Sequence, residues 1–131
     1  MANKSIFRAN RVANKSVSGW LDDHAVVVED GLITAIEPAA KLSSAGDSYE
    51  VFDLGDVSLL PGLVDAHCHM HCSATHDAQA LAFTENVQQL TIRATNNMRK
   101  AVLAGTTTIR DLGSRNEVAF AVRQMIEDGH V

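Results

Sequence analysis

The first 60 residues alternate apolar and polar positions over short runs, a pattern typical of β-strands. Strands are predicted at Ser5–Ala9, His24–Glu29, Leu32–Ile36 and Tyr49–Leu54. The second and third of these flank Asp30-Gly31, a residue pair that favours a tight hairpin turn. No run in this part favours a helix longer than one turn, so we expect residues 1–60 to form a small antiparallel sheet.

After residue 60, strand patterns alternate with helix patterns. Short apolar or β-branched strands are predicted at Leu63–His67 and Thr106–Arg110. Between them, apolar residues recur every three or four positions from Thr84 to Ala104, which indicates one helix that ends before Gly105. This order of elements predicts parallel strands joined by a crossover helix.

A second helix is predicted after the second of these strands. Ser114 and Glu117 have the spacing of a capping box, in which the two side chains bond each other's backbone amides at a helix start. The helix is expected to end at Gly129. The residues expected to face inward are Val118, Ala121, Val122 and Met125.

These elements predict an α/β protein with two structural units. A parallel sheet of two strands is not a domain, because parallel sheets normally have several strands and both faces covered. We therefore expect residues 61–131 to be the first two β/α units of a (β/α)8 TIM barrel, a fold of about 250 residues. Residues 1–60 are expected to be a portion of a separate small β domain. The rest of the barrel is expected in a longer protein or in a separate chain.

The charge pattern excludes some classes of partner. The 131 residues include 11 Lys and Arg against 16 Asp and Glu, a net charge of −5. An acidic chain without clustered basic residues lacks the surface that binds nucleic acid or an anionic membrane, and no apolar run approaches the ~18 residues of a membrane span. The polar start lacks the apolar core of a secretory signal, so we expect a cytoplasmic protein. Cys68 and Cys72 are expected to remain reduced thiols.

Histidines cluster at the end of the first barrel strand. Alternate residues on a strand face the same side, so Asp65, His67 and His69 are expected to share one face. Two imidazoles spaced in this way can bind one cation, and barrel enzymes build their sites where strands give way to loops. The alternative is a His-rich loop with ordinary solvated side chains.

Neighbouring residues are candidates for substrate or supporting contacts. His71 either touches substrate or lies in a solvated loop, and Asp65 either orients a histidine or serves as a structural hydrogen-bond partner. Arg110 is expected to form an ion pair with Asp111, with substrate contact as the alternative. Cys68 is expected to pack behind the histidines, because no second Cys/His pair follows at the spacing of a zinc finger.

Residues 61–71, PGLVDAHCHMH, and residues 105–113, GTTTIRDLG, resemble the amidohydrolase superfamily, in particular its imidazolonepropionase-like and Xaa-Pro or Xaa-Arg dipeptidase-like branch. Residues 26–38, VVVEDGLITAIEP, and the stretch from residue 51 to 67 are similar to that family's opening β-sandwich and its lead into the barrel. The resemblance extends from about residue 5 to residue 129.

The resemblance implies a metal-dependent hydrolase. It assigns His67 and His69 to a divalent metal site, usually zinc with one or two ions, and implies hydrolysis of an amide-type C–N bond by metal-activated water. Peptide-like substrates rank ahead of cyclic amides, although deaminases and lactonases share the motif. The family's other ligands (a lysine, two histidines and an aspartate) stand on later strands, so residues 1–131 alone are expected to be inactive.

The expected partners are therefore a small-molecule substrate and either a second copy of the protein or further protein that completes the barrel. The alternative to an enzyme is a non-catalytic truncated or split subunit that assembles with a complementary chain. The sequence that follows Val131 distinguishes these two interpretations.

Overall fold

The computed structural model describes residues 4–42 and 48–131. The chain forms two compact units, one ending at Pro61 and the other beginning at Gly62. Each unit has its own sheet and its own apolar core. Within the described ranges, no helix combines the length and the apolarity that crossing a membrane requires.

The first unit is a five-stranded sheet in which β1 occupies a central place. Its strands are β1 (Lys4–Ala13), β2 (Trp20–Glu29), β3 (Leu32–Pro38), β4 (Glu50–Asp53) and β5 (Ser58–Leu59). The order is β3-β2-β1-β4, with β5 also paired to β1. The hairpin between β2 and β3 forms as predicted, with positive φ angles at both Asp30 and Gly31.

The sheet is mixed, so the prediction of an antiparallel sheet was wrong. β1 is antiparallel to β2 but parallel to both β4 and β5. After β3 the chain does not turn back as a further hairpin but crosses to the other edge of β1, and such a crossover produces parallel pairing. The alternation of apolar residues marks strands but carries no information on which neighbour each strand takes.

Apolar residues are buried in two clusters of this sheet. Val26 and Val27 follow each other on β2 and therefore point to opposite faces. Val27 packs in one cluster with Ile6 and Ala25, and Val26 packs in the other with Ala9 and Val12. The sheet therefore contributes buried side chains on both faces.

The second unit pairs two parallel strands and adds three helices. Its elements are β6 (Leu63–Cys68), α1 (Ala78–Thr84), α2 (Val87–Leu103), β7 (Thr106–Asp111) and α3 (Val118–Glu127). The parallel pairing of β6 with β7 confirms the prediction from the element order. Its core consists of Met70, Leu90, Ala94, Val118 and Val122, with Cys68, Met98 and Ile109 packed against them.

The helix predicted over Thr84–Ala104 forms as α2 but starts three residues later, and the short helix α1 before it was not predicted. Helix α1 ends at Thr84, and α2 begins only at Val87. Asn86 causes the second start, because its side chain accepts a hydrogen bond from the backbone amide of Gln89 at 2.9 Å. The Gln89 side chain in turn accepts one from the Asn86 amide at 3.0 Å, which completes a capping box. Helix α2 ends as predicted, with Gly105 at a φ of +93°.

The capping box predicted at Ser114 and Glu117 was wrong. The Ser114 hydroxyl donates to the Asp111 carboxylate at 3.0 Å and caps no helix. Asn116 and Glu117 have φ angles of +51° and +57°, so α3 starts at Val118. Val118 and Val122 are buried as predicted. Two of the residues predicted to face inward, Ala121 and Met125, are instead exposed in this chain.

Large apolar side chains on the second unit remain exposed. Val64 on β6 is 69% exposed, and Ile92 and Leu103 on α2 are 72% and 71% exposed. In the described part of the chain, β6 and β7 pair only with each other, so each has a free edge. Exposed apolar surface and free strand edges are features of an interface with further protein.

Candidate functional site

Three histidine rings lie in series where β6 ends. The ring centroids of His67 and His69 are 5.5 Å apart, and those of His69 and His71 are 6.4 Å apart. His67 and His69 are exposed, whereas His71 is only 6% exposed. The structure therefore places the rings of the two predicted metal ligands side by side.

A hydrogen bond across the strand pair fixes the orientation of His69. Its Nδ1 lies 2.9 Å from the carbonyl oxygen of Gly113, in the loop that follows β7. Because a carbonyl oxygen can only accept, Nδ1 is the protonated nitrogen and Nε2 carries the free lone pair. A histidine that binds a metal usually donates its other ring N–H in the same way.

Asp65 contacts the backbone of His67 rather than an imidazole ring. Its carboxylate accepts a hydrogen bond from the His67 amide at 3.0 Å. The register of β6 against β7 shifts between Asp65 and Cys68, and the contact lies within this irregular stretch. Asp65 therefore shapes the strand end on which His67 stands.

Arg110 and Asp111 do not form the predicted ion pair. The Nε of Arg110 instead donates to the carbonyl oxygen of Ala66 at 2.9 Å. Consecutive strand residues point to opposite faces, so these two side chains point apart at the end of β7.

Asp111 joins the loop after β6 to the loop after β7, a role that the sequence analysis missed. One carboxylate oxygen accepts from the Met70 amide at 2.8 Å and from the Ser114 hydroxyl at 3.0 Å. The other accepts from the Gly113 amide at 2.8 Å. An Asp two residues before a Gly is a known turn signal, and it could have identified this role.

Helix α2 supports the histidine loop from the other side. The Asn97 side-chain amide donates to the carbonyl oxygens of Met70 and Cys72, at 3.0 and 3.1 Å. Arg93 donates to the Ser73 hydroxyl at 3.1 Å and forms an ion pair with Glu85 at the α1–α2 junction. The loop that carries His69 and His71 is thus held by two neighbouring elements.

His71 and Cys72 follow the two exposed imidazoles in the chain and are shielded from water to a larger extent. Burial lowers the pKa of His71 below its usual value, against the opposing effect of Asp111, so the neutral imidazole is favoured. Burial also raises the pKa of the Cys72 thiol. The Nε2 of His71 lies 3.7 Å from the Cys72 sulfur, and its buried Nδ1 has no partner among the described residues. Both cysteines are free thiols, as predicted.

A cavity of about 380 Å³ opens between the histidine loop and α1. We call it the α1 cavity. The residues that line it are His69, His71 and Cys72 from the loop and Ala78, Gln79, Ala82 and Phe83 from α1. Arg115 donates to the Ala82 carbonyl oxygen at 2.7 Å and so links α1 to the loop after β7.

The donor set fits part of a metal site. His69 presents the lone pair of Nε2, and the ring of His67 lies beside it. In residues 4–42 and 48–131, no group of three or more His, Cys, Asp or Glu side chains is placed to hold a metal ion. A catalytic zinc site uses about three protein ligands, so further ligands would have to come from additional protein.

Replacement of Gly113 by alanine in the whole protein is expected to weaken metal binding by about 10- to 100-fold. Gly113 has a φ of +156°, which an alanine adopts only with strain, and relief of that strain moves the carbonyl that orients His69. The measurement is a competitive zinc titration.

The matched control is Gly129→Ala, at a φ of +75° after α3. It introduces similar strain away from the histidines and should lower only the melting temperature. Equal zinc affinity in the Gly113→Ala variant and the parent would contradict the role given to the carbonyl.

Comparison with known proteins identifies the family. The model of the amidohydrolase family matches residues 58–130. An imidazolonepropionase of Solibacter usitatus is 33% identical over 106 residues, which cover 79% of this chain and 24% of that protein.

Solved structures of enzymes with different names share the fold. A Xaa-Pro dipeptidase crystallised with methionine in its active site superposes with a TM-score of 0.83 and 26% identity, over 98% of this chain and 31% of that one. An adenosine deaminase from Xanthomonas campestris with bound zinc gives a TM-score of 0.67 and 22% identity, over 94% of this chain and 32% of that one. The chain thus spans about a third or less of the length of these proteins. The match of the family model over more than half of the chain shows that it belongs to the amidohydrolase family.

Proposed function

We propose that this chain supplies the first metal ligands of a hydrolase that cleaves amide-type C–N bonds with metal-activated water. In this proposal, the second unit is the opening of a TIM barrel, and the first unit is part of a β-sandwich domain. The parallel β6–β7 pair with its crossover helices supports the barrel assignment. The family match and the likeness to the dipeptidase structure support the hydrolase class.

His67 and His69 would hold one divalent ion, which we take to be zinc. The observation that carries this assignment is the hydrogen bond from His69 Nδ1 to the Gly113 carbonyl, because it leaves Nε2 free to bind a metal beside the His67 ring. The zinc bound by the adenosine deaminase with the same fold supports the choice of metal.

Held by His67 and His69, a divalent ion would supply a bound water of lowered pKa and an electrophile for the scissile carbonyl. The residues of this chain hold the proposed metal ligands in position. Gly113 fixes the ring of His69, Asp111 fixes Gly113 and the backbone at Met70, and Asn97 fixes the loop carbonyls from the other side. Such supporting contacts hold the proposed ligands in place before a substrate binds.

Peptide-like amides are the proposed substrates, ahead of cyclic amides. The likeness to a Xaa-Pro dipeptidase supports peptide-like amides, and the imidazolonepropionase relative supports cyclic amides. Deamination of a heterocycle is the competing reaction, since an adenosine deaminase shares the fold.

The second candidate is a non-catalytic subunit that assembles with a complementary chain. Within the described ranges, no three potential ligands are placed to hold a metal ion, and this observation supports the second candidate. The coding sequence after Val131 decides between the two. Continuation into strands that carry a lysine, two histidines and an aspartate supports the enzyme, and a stop codon supports the subunit.

Metal removal tests the proposed function directly. The whole protein, assayed against a panel of dipeptides, N-acyl amino acids and cyclic amides, is expected to lose turnover after treatment with 1,10-phenanthroline and to regain it with added zinc. The control is 1,7-phenanthroline, which has the same rings but cannot chelate. Full turnover in protein shown by elemental analysis to be metal-free would refute metal dependence.

A further inference from the structure

The α1 cavity is an apolar space beside the proposed metal ligands. The proposed activation of water by a metal ion does not require this space. Its volume of about 380 Å³ lies within the range of small-molecule sites. One wall is the His69–Cys72 turn, closed by a hydrogen bond from the Cys72 amide to the His69 carbonyl oxygen at 2.9 Å. The other wall is α1, which contributes Ala78, Ala82 and Phe83 together with one uncharged polar residue, Gln79.

No charged side chain lines the cavity. The charged groups nearest His71 already have partners. Asp111 accepts three hydrogen bonds from the two loops, and Arg115 donates to the carbonyl oxygen of Ala82. A charged substituent placed in the cavity would therefore lose its hydration without gaining a counter-charge. An uncharged apolar group would bury its surface favourably.

His69 and His71 connect the cavity with the proposed metal site. Both residues line it, so a group seated in the cavity lies beside the proposed ligand His69. His71 is 6% exposed, and its Nδ1 has no hydrogen-bond partner among the described residues. Because that nitrogen has almost no accessible surface, a group in the cavity does not reach it.

We propose that the α1 cavity binds an uncharged apolar side chain of the amide substrate. The proposal rests on the proposed function for the identity of the substrate. It makes α1 a determinant of specificity and places His71 in the wall of the substrate site.

Equilibrium binding of three probes to the whole protein, incubated with zinc beforehand, tests the cavity. The probes are N-acetyl-L-leucinamide, N-acetylglycinamide and N-acetyl-L-aspartic acid amide, and each is checked for intactness after the titration. The leucine probe is expected to bind about 10-fold more tightly than the glycine probe, from burial of one leucine side chain. The aspartate probe should bind no better than glycine. Equal binding of all three would overturn the proposal.

A matched pair of substitutions tests whether the preference for the leucine probe arises in the cavity. Ala78→Phe fills it and should remove the leucine preference, whereas Ala80→Phe, on the exposed side of the same helix, should keep the preference. Phe83→Ala removes part of the wall from a side chain that is already 68% exposed, so it should reduce the preference even if Ala78→Phe does not fold. A preference that survives both cavity variants contradicts the assignment.

Zinc content, measured in every sample, separates the two proposals. If the protein prefers the leucine probe but binds no zinc, the proposed function is wrong and the cavity proposal stands. If the protein binds zinc but shows no preference for the leucine probe, the cavity proposal is wrong and the proposed function stands.

Discussion

The whole protein with His69 replaced by alanine is expected to lose its metal and at least about 10³-fold in turnover, roughly 4 kcal/mol of transition-state stabilisation. The substitution removes the imidazole whose free nitrogen faces the proposed metal site, and it also leaves the Gly113 carbonyl without its partner. His67→Ala should have a similar effect, because its ring is the neighbouring donor. The measurements are elemental analysis of the purified variants and steady-state kinetics.

Two other histidines serve as controls for this expectation. His76 is exposed in the loop before α1, and His76→Ala should keep both metal and turnover. His71→Leu should also keep the metal, because His71 is not one of the two proposed ligands. If His67→Ala and His69→Ala both retain the metal content and turnover of the parent, the assignment of the two ligands is wrong.

Residues 1–131 expressed alone are expected to be aggregated, molten or oligomeric, and inactive. Val64, Leu63 and Phe120 on the second unit are 69%, 58% and 62% exposed, and both strands of its sheet have free edges. Each large apolar side chain left in water forgoes about 1.5–3 kcal/mol. Three of them together forgo up to about 9 kcal/mol, which is comparable with the roughly 5–15 kcal/mol by which whole domains are stable.

Sedimentation velocity and thermal unfolding measure this outcome, with the whole protein as the reference. We expect species larger than a monomer and a broad transition or none. A compact 14.1 kDa monomer with a cooperative melt would instead mean that the second unit is stable without further protein.

The sequence could predict the elements of the second unit because their patterns are local. The strands at Leu63 and Thr106, the end of α2 before Gly105 and the shared location of His67 and His69 all follow from periodicity and turn residues. Their parallel pairing follows from the intervening helix.

Other features depend on partners distant in the sequence and could not be predicted in this way. Ser114 has the local form of a helix cap, yet the carboxylate of Asp111 takes its hydroxyl instead. The parallel pairing of β1 with β4 depends on which edge of the sheet the chain reaches after β3, a matter of long-range packing. The burial of His71 likewise results from contacts that α1 and α2 make with its loop.

The bond between His69 and Gly113 also affects the timing of biosynthesis. The two residues are 44 positions apart, so at ordinary translation rates the ribosome adds the acceptor roughly 2 to 9 s after the histidine. During that interval the imidazole exists without the carbonyl that fixes its tautomer. Because Asp111 and Gly113 emerge only after α2, the proposed metal site reaches its native geometry in a nascent chain only after the synthesis and docking of β7.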